Sequence, residues 1–180
     1  MQPTLVTSRL TLRPFQLADA RDVQRLAGDW GVARTTVNVP HPFDDGMAEA
    51  WIAGQAERFS NGSAVTFAMT LTETGELLGA FSLMDVRPGH RAELGYWIGV
   101  DHWGRGYCTE AGRAVVDYAF DVLKLLRLHA KHIVGNAASG RVLEKLGMTH
   151  EGERRAHLRA RGRLNDIVLY GMLGTDPRGD

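Results

Sequence analysis

Residues 102–110 read His-Trp-Gly-Arg-Gly-Tyr-Cys-Thr-Glu and place two glycines between a predicted strand and a predicted amphipathic helix. Glycines at positions 104 and 106 permit a tight turn in which several backbone N–H groups point the same way. The N-terminus of the helix that follows adds a partial positive charge. The segment therefore predicts a turn that binds a phosphate group.

Hydrophobic periodicity around this turn predicts strands and helices mixed around one sheet, which is an α/β or α+β domain. Residues 29–46 are rich in proline, glycine and asparagine, and they are predicted to form a long connection. Strands are predicted at residues 10–14, 64–71, 77–84, 93–100, 128–134, 149–155 and 166–173. Helices are predicted from Asp19 to Gly28 and at residues 46–60, 109–126 and 139–146.

Charge and composition exclude several classes of protein. Lys+Arg and Asp+Glu each number 21 among the 180 residues, which argues against a nucleic-acid binder that relies on bulk positive charge. No apolar run approaches the ~18 residues of a membrane helix, and the N-terminus lacks a basic signal start, so a cytoplasmic protein is expected. A local basic run is compatible either with a solvated hairpin tip or with a surface for an acidic substrate or a phosphate. It comprises Arg154, Arg155, Arg159, Arg161 and Arg163.

Three kinds of phosphate site are compatible with a glycine turn before a helix. A Walker-type P-loop requires Gly-x-x-x-x-Gly-Lys-Ser/Thr, which is absent from the sequence. A dinucleotide fold is disfavoured because Thr109 stands at its third glycine position and no acidic residue ends the strand at 128–134. The third kind is a site for the pyrophosphate of coenzyme A, held by the amides of residues 104–109.

Five segments in order resemble motifs of the GNAT superfamily of acyl-CoA-dependent N-acyltransferases, and in particular its RimJ/RimL branch, whose named members acetylate ribosomal-protein N-termini. These segments are residues 8–20, 93–100, 103–111, 136–148 and 162–170. The resemblance implies one N-acetyltransferase domain over residues 1–180, with its core at about 8–174. It also implies a mixed, mostly antiparallel sheet of about six to seven strands flanked by helices, in which the fourth and fifth strands splay apart.

The resemblance further implies transfer of an acetyl group from acetyl-CoA to a primary amine, by direct attack in a ternary complex that releases CoA. The acceptor is either a protein N-terminal α-amine or a small molecule such as an amino acid, a polyamine or an antibiotic. A CoA-binding sensor with weak catalysis is the alternative from a different class. No metal, nucleic acid or membrane is expected to take part, and the exposed strands are compatible with a homodimer.

The resemblance assigns catalytic roles to two residues. Glu93 corresponds to the general base, which often acts through a water, although it is also compatible with a carboxylate that pairs with an arginine on the sheet. Many family members place a tyrosine acid where this chain has Leu143, so Ser139 becomes the candidate proton donor or thiol contact. Ser139 is equally suited to capping the helix at 139–146. A backbone N–H within Ile98, Gly99 and Val100 is expected to polarise the thioester carbonyl, with Gly99 suited to a bulge.

The remaining candidates are cofactor contacts. Asn136 is expected to bind the pantetheine arm, with a simple turn asparagine as the alternative, and Lys145 faces either the outer phosphate or solvent. Cys108 is interpreted as a packing residue, with a thiolate nucleophile as the alternative. The residues of the turn expected to hold the cofactor are Trp103, Gly104, Arg105, Gly106, Tyr107, Cys108 and Thr109.

Overall fold

The computed structural model describes residues 1–179, so Asp180, the last residue of the predicted domain, lies outside the described residues. The strands of the described chain are β1 Leu5–Val6, β2 Leu10–Pro14, β3 Val65–Leu71, β4 Leu77–Arg87, β5 Arg91–Ile98, β6 Arg127–Ile133, β7 Thr149–Ala160 and β8 Arg163–Leu173. The α-helices are α1 Ala20–Ala27, α2 Trp30–Thr35, α3 Met47–Ser60, α4 Tyr107–Asp117 and α5 Ala137–Lys145. None of the helices in residues 1–179 is long and apolar enough to span a membrane.

All eight described strands form one sheet in the order β1-β2-β3-β4-β5-β6-β8-β7. Every neighbouring pair is antiparallel except β5 and β6, which run parallel. The predicted single domain with a mixed, mostly antiparallel sheet flanked by helices is therefore confirmed. The sheet has one strand more than predicted because Leu5–Val6 pairs with β2, and two residues are too short to show a periodic pattern.

Helices cover both faces of the sheet. On one face α4 packs against β1, β2 and β4, and its residues Ala111 and Val115 contribute to the main core with Phe67 and Phe81. Gly112 allows α4 to pack closely against Leu146 at the end of α5, because a Cβ at position 112 would lie 2.7 Å from a methyl group of Leu146. Helices α1 and α3 form a smaller core on the opposite face. Full burial of each large apolar side chain stabilises this arrangement by about 1.5–3 kcal/mol.

The segment predicted as a connection contains a helix. Trp30–Thr35 forms α2, whose N-terminus is capped by Asp29 accepting a hydrogen bond of 2.6 Å from the amide of Gly31. The predicted helix at 109–126 begins two residues earlier, at Tyr107, and its α-helical part ends at Asp117 before a π-helical turn, Tyr118–Val122. The chain order around the glycine turn is otherwise as the sequence predicts.

The predicted fourth and fifth strands, which are β5 and β6 here, separate along their length. Their pairing extends only from Arg91 opposite Arg127 to Leu94 opposite Ala130. Beyond these residues β5 continues to Ile98 and β6 to Ile133 without pairing to each other. The sheet therefore has an internal gap directly before the glycine turn.

Candidate active site

A cavity of about 1140 Å³ opens at the gap between β5 and β6. On one face of the sheet it is lined by the glycine turn, the start of α4 and one side of α5, and on the other by residues 34–40 and α3. Of the predicted site residues, Gly99, Val100 and Arg105 do not line this cavity, and all the others do. The structure thus brings most of the predicted set together around one cavity that passes between two strands.

The glycine turn has the conformation that its sequence predicts. Gly104 and Gly106 have φ angles of 74° and 81°, in the left-handed region that glycine adopts without strain. Gly106 precedes the first residue of α4, and its carbonyl accepts the first helical hydrogen bond, from the amide of Glu110 at 3.0 Å. The amides of Tyr107, Cys108 and Thr109 consequently have no acceptor within the helix. These amides, together with the helix N-terminus, form an anion-binding surface.

An ion pair between Glu110 and Arg9, which lies between β1 and β2, holds the turn in place. The Glu110 carboxylate accepts hydrogen bonds from the amide of Arg9 at 2.8 Å and from its guanidinium at 2.6 Å. The same guanidinium donates to the carbonyl oxygen of Arg105 at 3.1 Å and lies 4.6 Å from the ring centre of Tyr107. Arg9 therefore places a positive charge beside the turn. Sequence reasoning missed this role, although Arg9 lies in the opening motif of the family resemblance.

The free edge of β5 supplies backbone groups to the gap. The amide of Gly99 donates to the carbonyl of Leu78 in β4 at 2.9 Å, so it is not available to a ligand. Because backbone groups alternate along a strand, the amides of Tyr96 and Ile98 face the opposite edge, toward the gap. The predicted bulge at Gly99 is absent, since β5 ends regularly at Ile98 opposite Gly79. Ile98 is therefore the member of the predicted group whose amide faces the cavity.

Glu93 lies at the gap in an ion pair with a lysine. Its two carboxylate oxygens lie 2.6 and 2.8 Å from Nζ of Lys131, and Nε2 of His129 lies 3.7 Å away. Burial alone would raise the pKa of Glu93, but the interactions with His129 and Lys131 outweigh burial and hold this pKa below its ordinary value. Glu93 is consequently a carboxylate at neutral pH. Its partner on the sheet is a lysine rather than the arginine considered from the sequence.

Ser139 contacts a tyrosine that sequence reasoning missed. The hydroxyl oxygens of Tyr96 and Ser139 lie 2.8 Å apart, and the Tyr96 ring stacks on Phe81 with ring centres 4.9 Å apart. Burial raises the pKa of Tyr96 well above its ordinary value, so its hydroxyl remains protonated. The two hydroxyls form a pair of proton donors at the gap. Tyr96 lies in the segment 93–100 of the family resemblance, which was the available sequence signal.

Asn136, rather than Ser139, caps α5. The Asn136 side chain accepts a hydrogen bond from the amide of Ser139 at 3.3 Å, and its amide group donates to the carbonyl of Thr35 at 3.2 Å. The capping interpretation of Ser139 is therefore wrong, and its hydroxyl is free for the contact with Tyr96. Asn136 also connects α5 to the end of α2, which fixes the wall of the cavity.

Cys108 is buried and belongs to the main core. Burial raises the pKa of its thiol to about 12, so the thiol does not ionise at neutral pH. These properties favour the packing interpretation over a thiolate nucleophile. Trp103, in contrast, is exposed, and its indole N–H donates to the carbonyl of Ile98 at 2.9 Å.

Comparison with known proteins identifies the family to which the fold and site belong. The sequence profile described as "Acetyltransferase (GNAT) domain" matches residues 9–149, which is most of the chain. The chain belongs to the GNAT family of acetyltransferases. It is an acetyl-CoA-dependent N-acetyltransferase of this family, as the sequence resemblance implies.

Relatives and solved structures agree with this assignment. The chain is 36% identical to the uncharacterized N-acetyltransferase p20 of Bacillus licheniformis, over 98% of this chain and 99% of that protein. It is 30% identical to the [ribosomal protein uS5]-alanine N-acetyltransferase of Escherichia coli, over 96% and 91% of the two chains. The fold is similar to that of the microcin C7 self-immunity acetyltransferase MccE, solved with acetyl-CoA and AMP, with a TM-score of 0.84 over 93% of each chain and 19% identity. The RimJ/RimL-like assignment is therefore confirmed.

Proposed function

We propose that this protein transfers the acetyl group of acetyl-CoA to the α-amine of a protein N-terminus, by direct attack in a ternary complex. The observation that carries the proposal is the continuous cavity between β5 and β6, which connects the anion-binding turn with Glu93. The name of the Escherichia coli relative, a ribosomal-protein alanine N-acetyltransferase, supports a protein acceptor.

The cofactor site uses the backbone of the glycine turn. The amides of residues 104–109 bind the pyrophosphate, and Arg9 adds a positive charge beside them. Asn136 and Ser139 line the path of the pantetheine arm, and Lys145 lies farther along α5. When bound, acetyl-CoA supplies an acetyl thioester. The unpaired amide of Ile98 is the donor placed to polarise its carbonyl.

Proton transfer is assigned to groups on the two sides of the gap. Glu93 accepts the proton that the amine loses, either directly or through a water, and Lys131 moves aside as the positively charged acceptor takes its place. Tyr96 and Ser139 supply a proton to the departing sulfur. Because Glu93 is a carboxylate at neutral pH, it also attracts the acceptor's ammonium group to the gap before the proton is transferred.

The test measures CoA release with a panel of N-terminal peptides and small amines, for the wild-type protein and for Glu93→Gln. We expect peptides to be acetylated and kcat to fall about 100-fold or more in Glu93→Gln, since general base catalysis typically contributes that much. The exposed Glu73, in the turn between β3 and β4, provides the matched control Glu73→Gln, which leaves kcat unchanged. Tight acetyl-CoA binding without CoA release for any amine would instead identify a sensor. Equal kcat for Glu93→Gln and wild type would exclude Glu93 as the base.

A further inference from the structure

Charged side chains in the half of the cavity away from the glycine turn are mostly cationic. Arg34 extends from the last turn of α2, Arg58 from the last turn of α3, and Lys131 from β6. Among the described residues that line the cavity, Glu93 is the only carboxylate, and Lys131 neutralises it. Within residues 1–179, neither Arg34 nor Arg58 lies within 4.0 Å of a carboxylate oxygen. Two unpaired arginines therefore remain on the acceptor side.

The arginine-rich hairpin of β7 and β8 meets the same wall of the cavity. The guanidinium of Arg161, near the hairpin tip, donates to the carbonyl of Thr36 at 2.7 Å, and Thr36 lines the cavity. This contact places the tip of the hairpin at the rim of the cavity. The exposed residues Arg159 and Arg163 flank the tip on opposite faces of the hairpin, because Arg159 pairs with Leu164 and Arg163 with Ala160. In the described part of the chain neither of these two arginines forms an ion pair with a carboxylate. The structure thus places the tip of the hairpin, with Arg161, beside the acceptor side of the cavity.

The clustered cationic side chains of the cavity and the hairpin repel each other and attract an anion. Exposed charges interact over about 8 Å at physiological ionic strength, so the cavity and the hairpin rim act as one positive surface. An amine acceptor that is purely cationic, such as a polyamine, is repelled by this surface. An acceptor that carries carboxylates behind its amine is attracted by the surface while its ammonium group is attracted by Glu93.

We infer that the acceptor is an acidic N-terminal peptide, in which the free α-amine enters toward Glu93 and carboxylate side chains within the first several residues face Arg34, Arg58 and the hairpin rim. An extended peptide advances about 3.3 Å per residue, so successive side chains reach from the cavity to the rim. The inference rests on the proposed function and specifies its substrate class. The run of arginines outside the cavity favours a peptide over a single small anionic amine.

The experiment compares two peptides that differ only in charge: one with Asp and Glu at positions 2–6 after an N-terminal alanine, the other with Asn and Gln at the same positions. We expect kcat/KM for the acidic peptide to exceed that for the amide peptide about tenfold at low salt, since each exposed charge pair contributes a factor of roughly 1.4 to 5. The ratio should fall toward one as the salt concentration rises. The acetylated product is identified by mass spectrometry.

Substitution of the cavity arginines tests whether they cause the preference for the acidic peptide. The double substitution Arg34→Gln with Arg58→Gln should reduce the ratio to threefold or less, mainly through KM for the acidic peptide. The matched control is Arg21→Gln, at an exposed arginine of α1 outside the cavity, which should leave the ratio unchanged. Thermal denaturation of each variant confirms that it is folded.

Three outcomes would overturn the inference while leaving the acetyltransferase function intact. These are equal kcat/KM for the two peptides, a ratio that survives in the double variant, or free glutamate and aspartate acting as better acceptors than the acidic peptide. If neither peptide nor any small amine releases CoA, the proposed function and the inference fail together. Because the amide peptide is assayed in parallel, loss of charge preference is distinguishable from loss of catalysis.

Discussion

Replacement of Gly104 by alanine tests whether the left-handed conformation of the turn serves cofactor binding. Gly104 has a φ angle of 74°, and a Cβ built on it meets no atom within 4 Å. An alanine side chain at position 104 would therefore not clash with any atom. The cost of Gly104→Ala is the strain of a non-glycine residue in the left-handed conformation, about 1–2 kcal/mol. Since nothing packs against this position, the free protein can relieve the strain by rotating the turn. Binding of acetyl-CoA must then restore the original conformation.

The expected result is a weakening of acetyl-CoA binding by roughly 5- to 30-fold, because 1.4 kcal/mol corresponds to a factor of ten. Isothermal titration calorimetry measures the Kd directly. Gly75 provides a matched control, since it has the same φ angle of 74°, also has open space around its Cβ, and lies outside the cavity in the turn between β3 and β4. Gly75→Ala introduces the same strain in a turn that lies outside the cavity, so it should leave the Kd unchanged. A Kd for Gly104→Ala within twofold of wild type would refute the reasoning.

Three further predictions concern groups around the site. Because burial raises the pKa of Cys108 to about 12, iodoacetamide at pH 8 should alkylate only the unfolded protein, and rapid alkylation of the native protein would contradict its buried position. Asp19→Asn should lower the free energy of unfolding by about 2 kcal/mol at pH 7 in urea titrations, since it breaks a partly buried pair with Arg13. Burial alone would raise the pKa of Asp19, but Arg13 and the amide of Gln16 hold it below its ordinary value. The difference in free energy of unfolding between Asp19→Asn and wild type should therefore shrink below about pH 4. A constant difference down to pH 2 would show that the pair is not responsible. Arg161→Ala should speed tryptic cleavage after Arg34, because the hydrogen bond that holds the end of α2 is lost, and an unchanged cleavage rate would argue against this link.

Local sequence signals predicted the fold where the structure depends on local chemistry. The glycine turn was predictable because left-handed φ angles at positions 104 and 106 require a residue without a Cβ. Helix α2 was missed because its six residues include Gly31 and Thr35, which are poor helix formers, and because tertiary contacts hold it. Its end is fixed by Asn136 and Arg161, each more than 100 positions away in sequence.

The site also combines features that local sequence predicts with features that depend on tertiary contacts. The backbone role of the turn follows from sequence, whereas the partners of its side chains depend on pairing between distant strands. The contact of Glu93 with Lys131 arises from the parallel pairing of β5 and β6, and the contact of Tyr96 with Ser139 joins residues 43 positions apart. Neither contact leaves a periodic signal in the chain. Family resemblance supplied Glu93 and Ser139 as candidates, and the structure adds the neighbours to which they bind, Lys131 and Tyr96.

Amide hydrogen exchange with and without acetyl-CoA tests the central claim most directly, namely that the cofactor is held by the glycine turn and passes through the gap between β5 and β6. The amides of residues 104–109 have no partner within the helix, and the amide of Ile98 faces the gap, so these groups should exchange rapidly in the free protein. The account predicts that saturating acetyl-CoA slows exchange at residues 104–109 and at Ile98, while the turn around Gly75 is unaffected. Exchange at residues 104–109 that stays unchanged while acetyl-CoA is bound would contradict it.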